Sequence, residues 1–223
     1  MLLSALTEIE FIKYIIAIIA AYLLGSISSS IILGKLLYNI DVREHGSKNP
    51  GANNTQRVLG WKIGLIVLAF DILKGALAVS LVWFLGLKIE TEIFVATQIV
   101  LGFSAVMGHI FPIFHNFKGG KGVATMSGAL LAIHPLCVLL CVVVFCLFFA
   151  ITKYVSVGVI GAVTAFPFFV NFLFALWLDP FETLTLKIFS IVMGCVIWLT
   201  HASNIKRLIN GKEEKFKLNK GDN

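Results

Sequence analysis

Residues 117–125, a short stretch rich in glycine and lysine, are the part of the sequence best suited to chemistry. The stretch reads Phe-Lys-Gly-Gly-Lys-Gly-Val-Ala-Thr and lies between two long apolar segments. Glycines expose backbone N–H groups, and beside fixed positive charge at the start of a helix such groups bind phosphate. A Walker A loop is excluded, because Gly122 follows Lys121 and His115 stands where the first glycine is required. This glycine–lysine loop therefore predicts an anion site, with six candidate ligands: Lys118, Gly119, Gly120, Lys121, Gly122 and Thr125.

Two further polar clusters carry donors of the same kind. We call residues 46–57 the asparagine cluster and residues 201–207 the histidine cluster. Arginines bind two phosphoryl oxygens at once, and asparagine and serine side chains add neutral hydrogen bonds. Carboxylates are scarce there, and Asp41 and Glu44 are more typical of solvated loop charges. The candidates from the clusters, together with the histidine that precedes the loop, are Gly46, Ser47, Asn49, Asn54, Arg57, His109, His201, Asn204 and Arg207.

The composition places these clusters in a membrane protein. Of the 223 residues, 58% are hydrophobic and 13% are charged, which is too apolar for a soluble domain of this size. The four cysteines lie in apolar runs without paired spacing, so neither a zinc site nor a disulfide framework is predicted. The net charge of +6 does not indicate nucleic-acid binding, because the basic residues stand at the ends of segments instead of forming a stripe.

The apolar runs predict an all-α integral membrane protein with seven transmembrane helices, one of them short, in a single membrane-embedded domain (residues 1–223). A cleaved signal peptide is disfavoured, because Glu8 and Glu10 stand where positive charge is expected. Asp71 and Lys74 share a helix face inside the second span, and we favour a structural ion pair over a direct chemical role. The predicted spans are 11–37, 61–87, 93–114, 122–133, 136–151, 155–178 and 184–201, followed by a basic cytoplasmic tail, 202–223.

The distribution of positive charge predicts the orientation. With seven spans, only Lys13, Lys88 and Lys187 lie on one side; all other lysines and arginines except the membrane-embedded Lys74 lie on the other. The positive-inside rule makes the lysine-rich side cytoplasmic, with the N-terminus outside and the C-terminus inside. A six-span alternative divides the charges less well. The three polar clusters therefore share the cytoplasmic face.

Several enzyme classes are excluded by their missing motifs. The sequence contains no H-E-x-x-H, no G-x-S-x-G and no metal-ligand cluster. An aspartate does not follow any of the five histidines at the spacing H-x-x-x-x-D that many acyltransferases use. Any acyl transfer must therefore start from an activated donor.

Taken together, the three clusters resemble those of the acyl-phosphate-dependent glycerol-3-phosphate acyltransferases of bacterial membranes, the PlsY family. The resemblance covers nearly the whole chain. It rests on three motifs: Gly46-Ser47-x-Asn49-x-Gly51-Ala52-x-Asn54 with Arg57, then Gly108-His109 with the glycine–lysine loop, then His201-x-x-Asn204-Ile205-x-Arg207.

The resemblance implies an enzyme of the bacterial inner membrane that moves a fatty acyl group from acyl phosphate to the 1-hydroxyl of glycerol 3-phosphate. The products are lysophosphatidic acid and phosphate, and neither a cofactor nor a metal is implied. Membrane lipid surrounds the enzyme, and a separate enzyme supplies acyl phosphate. Ser47, Asn54, Arg57, His201 and Asn204 are implied to be catalytic. The implied binding residues are Gly46, Asn49, His109, Lys118, Gly119, Gly120, Lys121, Gly122, Thr125 and Arg207.

The sequence departs from the family's pattern at two positions, and one alternative function is also considered. The family usually has glycine where Lys48 stands and threonine where Asn53 stands, and Lys48 adds charge to this loop and restricts its backbone. An anion transporter or channel is the main alternative, because a short half-helix can aim its N-terminus at a bound anion. Such a transporter predicts two related halves, whereas the sequence shows no internal repeat.

Overall fold

The computed structural model describes residues 8–89, 91–173 and 184–216. Within these ranges the chain is helical and has no β-strand. Short 3₁₀ turns follow α4 and α5, and a π-helical turn, Phe169–Leu173, follows α8. The helices are α1 (Glu8–Ser26), α2 (Ser29–Tyr38), α3 (Ala52–Leu59), α4 (Trp61–Ser80), α5 (Glu92–Ile110), α6 (Val123–Ile133), α7 (Pro135–Thr152), α8 (Val155–Phe168), α9 (Leu184–Thr200) and α10 (Ala202–Ile209).

Five helical stretches of the described chain are long and apolar enough to cross a bilayer: Glu8–Ser26, Trp61–Leu85, Glu92–His115, Pro135–Thr152 and Val155–Phe172. A sixth is formed if α9 and α10, which are bent by 55° relative to each other, count as one span. Their outward faces carry large apolar side chains, as the hydrocarbon core of a membrane requires. α6 has 11 residues and is shorter than a normal span. The all-helical membrane class is confirmed, whereas the count of seven spans and the orientation of the termini stay predictions.

The predicted first span, 11–37, is wrong as one continuous helix. α1 ends at Ser26 and α2 begins at Ser29. At the break the Ser26 hydroxyl donates to the carbonyl of Tyr22 (2.9 Å), and Ile27 N–H closes a tight turn onto the carbonyl of Leu24 (3.2 Å). Serine side chains that bond to the preceding turn compete with regular helix geometry. The glycine–serine stretch thus separates two helices.

One predicted boundary lies outside the described residues, and another differs from the prediction. The predicted span 155–178 is described only as far as Leu173, and its remainder lies outside the described residues. Residues 202–209, predicted as the start of a basic tail, form α10 instead. After α10, Phe216 N–H donates to the carbonyl of Lys153 (2.9 Å), so the described part of the tail packs on the protein.

The helices group into two compact units. The first unit contains α1, α4 from Asp71 onward, α5 and α6. α1 and α5 approach closely through small residues: a Cβ on Gly25 would overlap the backbone of Ala105, and a Cβ on Gly108 would overlap the carbonyl of Tyr22. Small residues that let backbones touch are the usual way in which membrane helices pack. This packing fixes the end of α5, where the glycine–lysine loop begins.

The second unit contains α2, α3, α4 up to Phe70, and α7 to α10. α7 and α8 pack through glycines, since a Cβ on Gly158 would lie 2.8 Å from the ring of Phe145. Phe166 of α8 meets Phe189 of α9 edge to face, with ring centroids 6.4 Å apart. This unit carries the asparagine and histidine clusters. The single-domain organisation stays a prediction.

Candidate functional site

The asparagine cluster is built around the side chain of Asn54. Asn54 is buried, with 1% of its surface exposed. Its Oδ1 accepts from the Ser47 N–H (2.7 Å) and the Ser47 hydroxyl (3.1 Å), and its Nδ2 donates to the carbonyls of Val42 (2.8 Å) and His45 (3.1 Å). All of its hydrogen-bonding capacity is used within the loop. Asn54, predicted to be catalytic, therefore organises the turn that holds Ser47 in place.

Two residues of this turn have left-handed backbone conformations. Gly46 has φ 57° and a Cβ there would overlap Asn54 Oδ1, so only glycine fits. Lys48 has φ 60°, which a residue with a side chain rarely adopts. The departure at Lys48 thus falls on a position whose conformation favours glycine. Nothing in the structure explains the departure at Asn53.

Ser47 and Arg57 are the residues of the asparagine cluster that the sequence predicts to react, together with Asn54. Ser47 and the neighbouring Asn49 are half-buried. The guanidinium of Arg57 contacts Glu214, with 3.0 Å between Arg57 Nη1 and the carboxylate and 3.2 Å between Nη2 and the backbone carbonyl. Arginine binds phosphate with the same fork geometry. An anionic substrate at Arg57 must therefore displace Glu214, whose side chain is 72% exposed.

The histidine cluster surrounds a second acid, Glu213. Its carboxylate accepts hydrogen bonds from Asn204 Nδ2 (2.7 Å), Arg207 Nε (2.7 Å) and the hydroxyl of Ser156 (2.9 Å). Burial raises the pKa of Glu213, but the hydrogen bonds from Asn204, Arg207 and Ser156 outweigh it, and the net pKa lies below the usual value. Glu213 therefore stays ionised and holds the cluster together.

His201 lies at the bend between α9 and α10. It is buried, and its Nδ1 is 2.8 Å from the carbonyl of Ile197. A carbonyl can only accept, so Nδ1 carries the proton and Nε2 is the basic nitrogen. The Asn204 N–H donates to the carbonyl of His201 (2.9 Å), which begins α10. The bond to Ile197 thus fixes the orientation of the His201 ring.

A surface ion pair precedes the asparagine cluster. Arg43 donates to both carboxylate oxygens of Asp41, at 3.0 Å and 2.7 Å. The hydrogen bond from the Arg43 side chain is the main reason that the pKa of Asp41 falls to about 2. Asp41 is thus a structural anion paired with Arg43, whereas the sequence favours a solvated loop charge.

The glycine–lysine loop follows α5 in the first unit. The Gly119 N–H donates to the carbonyl of Ile110 (3.1 Å), and the Gly120 N–H donates to the carbonyl of His109 (3.0 Å). These two amides therefore complete the end of α5 and are engaged, although the sequence assigns them to phosphate. α6 begins at Val123, and the first N–H groups of a helix have no partner within it. In this loop the first turn of α6 is what can bind an anion.

The side chains of the loop differ in accessibility. Lys118 is exposed, and Lys121 is half-buried just before α6. Gly122 has φ 83°, which turns the chain into α6. Thr125 is fully buried, and its hydroxyl is the one buried side-chain donor of the described residues without a hydrogen-bond partner.

His109 lies behind the loop. It is buried, its Nδ1 is 3.7 Å from a carboxylate oxygen of Asp71, and a Cβ on Gly120 would overlap its Nε2. The buried pair predicted between Asp71 and Lys74 is present, with Nζ 2.8 Å from the carboxylate. In this arrangement the imidazole of His109 supports the loop. Direct contact of His109 with substrate stays a prediction.

The structure brings some of the predicted site residues together. Consecutive residues, Glu213 and Glu214, contact the histidine cluster and the asparagine cluster within the second unit. His109 and the glycine–lysine loop are in contact within the first unit. That all three clusters form one pocket stays a prediction.

The sequence interpretation missed Glu213, Glu214 and Ser156. Their signal is weak but present, since Glu213 and Glu214 are adjacent acids in a segment that is otherwise rich in lysine. Two adjacent acids shortly after a basic helix indicate a pairing role, although the partners cannot be read from spacing.

This chain is similar to known proteins over most of its length. Residues 15–211 match the family model described as glycerol-3-phosphate acyltransferase. Among curated relatives, the glycerol-3-phosphate acyltransferase of Chlorobaculum parvum is 42% identical over 92% of this chain and 97% of its own, and that of Bacillus subtilis is 44% identical over 90% and 96%.

A solved structure agrees with these relatives. The crystal structure of PlsY (YgiH), an integral membrane glycerol 3-phosphate acyltransferase in its glycerol 3-phosphate form, superposes with a TM-score of 0.80. It has 33% sequence identity, over 92% of this chain and 96% of that one. The chain therefore belongs to the PlsY family of glycerol-3-phosphate acyltransferases.

Proposed function

We propose that this protein acylates the 1-hydroxyl of glycerol 3-phosphate with a fatty acyl group from acyl phosphate, giving lysophosphatidic acid and inorganic phosphate. The observation that carries the proposal is the junction of the glycine–lysine loop with α6. There a half-buried lysine precedes the open N–H groups of a helix, in a chain that matches the acyltransferase family over most of its length. Both substrates carry a phosphate group.

The chemistry needs little from the protein beyond placement. The hydroxyl oxygen of glycerol 3-phosphate attacks the acyl carbon, and the bond from this carbon to the phosphate oxygen breaks. The leaving phosphate takes the electron pair, and the hydroxyl proton passes to a substrate phosphate. Because acyl phosphate is already activated, holding the two substrates in contact and stabilising negative charge supply the catalysis. Neither a cofactor nor a covalent enzyme intermediate is needed.

The proposal gives each cluster a role. Lys121 and the first turn of α6 bind one phosphoryl group. Arg57 and Ser47 bind the reacting phosphoryl group and the developing charge, after Glu214 has left Arg57. His201 and Asn204 orient glycerol 3-phosphate near this point. These roles are supported by the positive charges of Arg57 and Arg207 and by the neutral hydrogen-bond donors of Ser47 and Asn204.

The proposed location is the bacterial inner membrane, with seven spans, the N-terminus outside and the active site facing the cytoplasm. The acyl chain remains among the apolar helix faces while the phosphate group stays in water. In this proposal, a separate enzyme makes the acyl phosphate.

Purified protein in lipid vesicles, supplied with acyl phosphate and radiolabelled glycerol 3-phosphate, tests the proposal. Wild type forms labelled lysophosphatidic acid, Ser47→Ala and Lys121→Ala lose more than about 90% of the rate, and Lys62→Ala, a charge outside the clusters, retains it. Folded wild type that forms no product would overturn the proposal. Movement of labelled phosphate into sealed vesicles without acyl donor would instead support a transporter.

A further inference from the structure

Three ionisable side chains of the first unit lie buried behind the glycine–lysine loop. The exposed fractions of the Asp71, Lys74 and His109 side chains are 3%, 9% and 7%. Lys74 Nζ is 2.8 Å from the Asp71 carboxylate and donates to the carbonyl of Ile27 (2.8 Å). A buried ion pair gives little net stability compared with apolar side chains of similar size, because desolvation offsets the attraction. Stability alone therefore does not account for this group.

The group is connected to the loop through His109. One nitrogen of the imidazole faces Asp71, and the other faces Gly120 so closely that a Cβ there would overlap it. The backbone carbonyl of His109 accepts the Gly120 N–H, so both the ring and the backbone of His109 hold this residue. A displaced ring would therefore displace Gly120, and with it the turn that leads to α6.

α4 also contacts the start of α6 directly. One helical turn after Asp71, a Cβ on Gly75 would overlap the carbonyl of Thr125, and a Cβ on Gly128 would overlap the carbonyl of Ile72. The backbones of α4 and α6 therefore touch within the first turns of α6. Residues 71–75 of α4 hold the loop from two sides, by way of His109 and by way of Thr125.

His109 itself is fixed from a third direction. The residue before it, Gly108, packs on the carbonyl of Tyr22 in α1, and the Tyr22 hydroxyl donates to the carbonyl of Phe111 (2.7 Å). Lys74 bonds the carbonyl of Ile27 just beyond the end of α1. α1, α4 and α5 thus meet at His109, and the ion pair is the polar part of this junction.

We propose that Asp71 and Lys74 are positioning residues: through His109 they hold Gly119–Gly122 in the shape that directs the first turn of α6 at a substrate phosphate. The inference rests on the proposed function, because it specifies how the phosphate loop is held. Neither residue touches the reacting atoms. Their loss therefore weakens phosphate binding more than it slows the chemical step.

The test compares Asp71→Asn and His109→Gln with wild type under the acylation assay. KM for glycerol 3-phosphate or for acyl phosphate rises about tenfold, the loss of one well-placed contact to an anion, while kcat changes less than about threefold. The changes in KM caused by the two substitutions are less than additive in the double variant, because both act through one ring. Glu92→Gln, at the opposite end of α5, leaves both KM values unchanged.

Amide hydrogen exchange gives a readout that does not depend on activity. In Asp71→Asn the amides of Gly119 and Gly120 exchange at least about tenfold faster than in wild type, while those of α9 are unchanged. If Asp71→Asn does not fold, Asp71→Asn/Lys74→Met, which removes both charges, takes its place. Folded variants with wild-type KM values and wild-type exchange in the loop overturn the inference. If wild type lacks acyltransferase activity, but the loop amides still exchange faster in Asp71→Asn than in wild type, only the proposed function is overturned.

Discussion

Two loops of this protein carry predicted site residues, and they are built in different ways. The loop before α3 is organised by a neutral amide, Asn54, whose donors and acceptors are all satisfied by backbone and Ser47. The glycine–lysine loop is supported by His109, which lies beside the buried pair of Asp71 and Lys74. A satisfied amide costs little to bury, whereas buried charges cost several kcal/mol unless they are paired. The comparison teaches that the first loop depends on hydrogen bonds to one amide. The second depends on the close packing of Gly120 against His109, which lies beside the ion pair.

The largest effect is expected at the amide. Asn54→Ala leaves the N–H of Ser47 and the carbonyls of Val42 and His45 without partners, at about 1–3 kcal/mol for each group that stays buried. We expect the free energy of unfolding to fall by about 3 kcal/mol and acyl transfer to fall more than tenfold. Thermal unfolding in detergent and the acylation assay measure both quantities.

The neighbouring Asn53→Ala is the control for this prediction. Asn53 is half-buried on the same helix, and the contacts of Asn54 do not involve it. Equal losses of stability and activity in the two variants would show that α3 as a whole matters and that Asn54 does not organise the loop.

The glycine–lysine loop should be sensitive to added side-chain volume at Gly120. Gly120→Ala places a Cβ on His109 Nε2, so the ring or the loop must move. We expect KM for a phosphate-bearing substrate to rise about tenfold with less than about 1 kcal/mol lost in stability, because the loop lies outside the helices. Gly194→Ala is the control, since its Cβ would lie 3.5 Å from Pro167, at ordinary contact distance. An unchanged KM in Gly120→Ala would contradict the tight fit of the ring.

The buried acid Glu213 predicts a dependence on pH. Its folded-state pKa is below its ordinary value of 4.5, so its stabilisation is present above that value and is lost as the pH falls through the folded pKa. Glu213→Gln removes the charge and should cost about 2 kcal/mol at pH 7, the worth of hydrogen bonds to an ionised group.

Thermal unfolding between pH 3 and 7 checks this prediction. The difference in stability between wild type and Glu213→Gln should shrink as the pH falls below about 4.5. A constant difference across the range would mean that the charge of Glu213 does not matter.

A smaller gain is expected at Lys48. Its φ of 60° is strained for lysine by about 1–2 kcal/mol, and part of the relief that glycine brings is lost to its greater freedom in the unfolded chain. Lys48→Gly should therefore stabilise the protein by about 0.5 kcal/mol net, seen as a small rise in the unfolding temperature. Lys62→Gly, within α4, should instead destabilise by about 1 kcal/mol. A loss of stability in Lys48→Gly would show that the lysine side chain contributes more than its backbone costs.

Much of the fold could be predicted because a membrane helix leaves a continuous apolar run. The limits of α6 and α7 agree closely with the predicted spans, and α4 and α9 begin at the predicted residues. α4 ends at Ser80 and continues as a 3₁₀ turn to Leu85, short of the predicted 87. The break between Ser26 and Ser29 was missed, since glycine and serine occur within membrane helices as readily as between them. Its cause is a set of local hydrogen bonds, from the Ser26 hydroxyl and the Ile27 N–H, that apolar periodicity does not record.

The candidate site was predictable in its residues but less so in their roles. The motifs located Asn54 and His109. They did not show that Asn54 organises one loop and that His109 supports the other, because both roles depend on partners distant in sequence. Glu213 was missed for the same reason. Its partners Ser156 and Asn204 lie on different helices, and residue type alone does not identify such a contact.

The choice of acyl donor tests the central claim most directly. Purified wild type receives radiolabelled glycerol 3-phosphate with either acyl phosphate or an acyl thioester of the same chain length, and lysophosphatidic acid and released phosphate are measured together. The account predicts product only from acyl phosphate, with one phosphate released for each lysophosphatidic acid formed. Product from the thioester, with none from acyl phosphate, would contradict it.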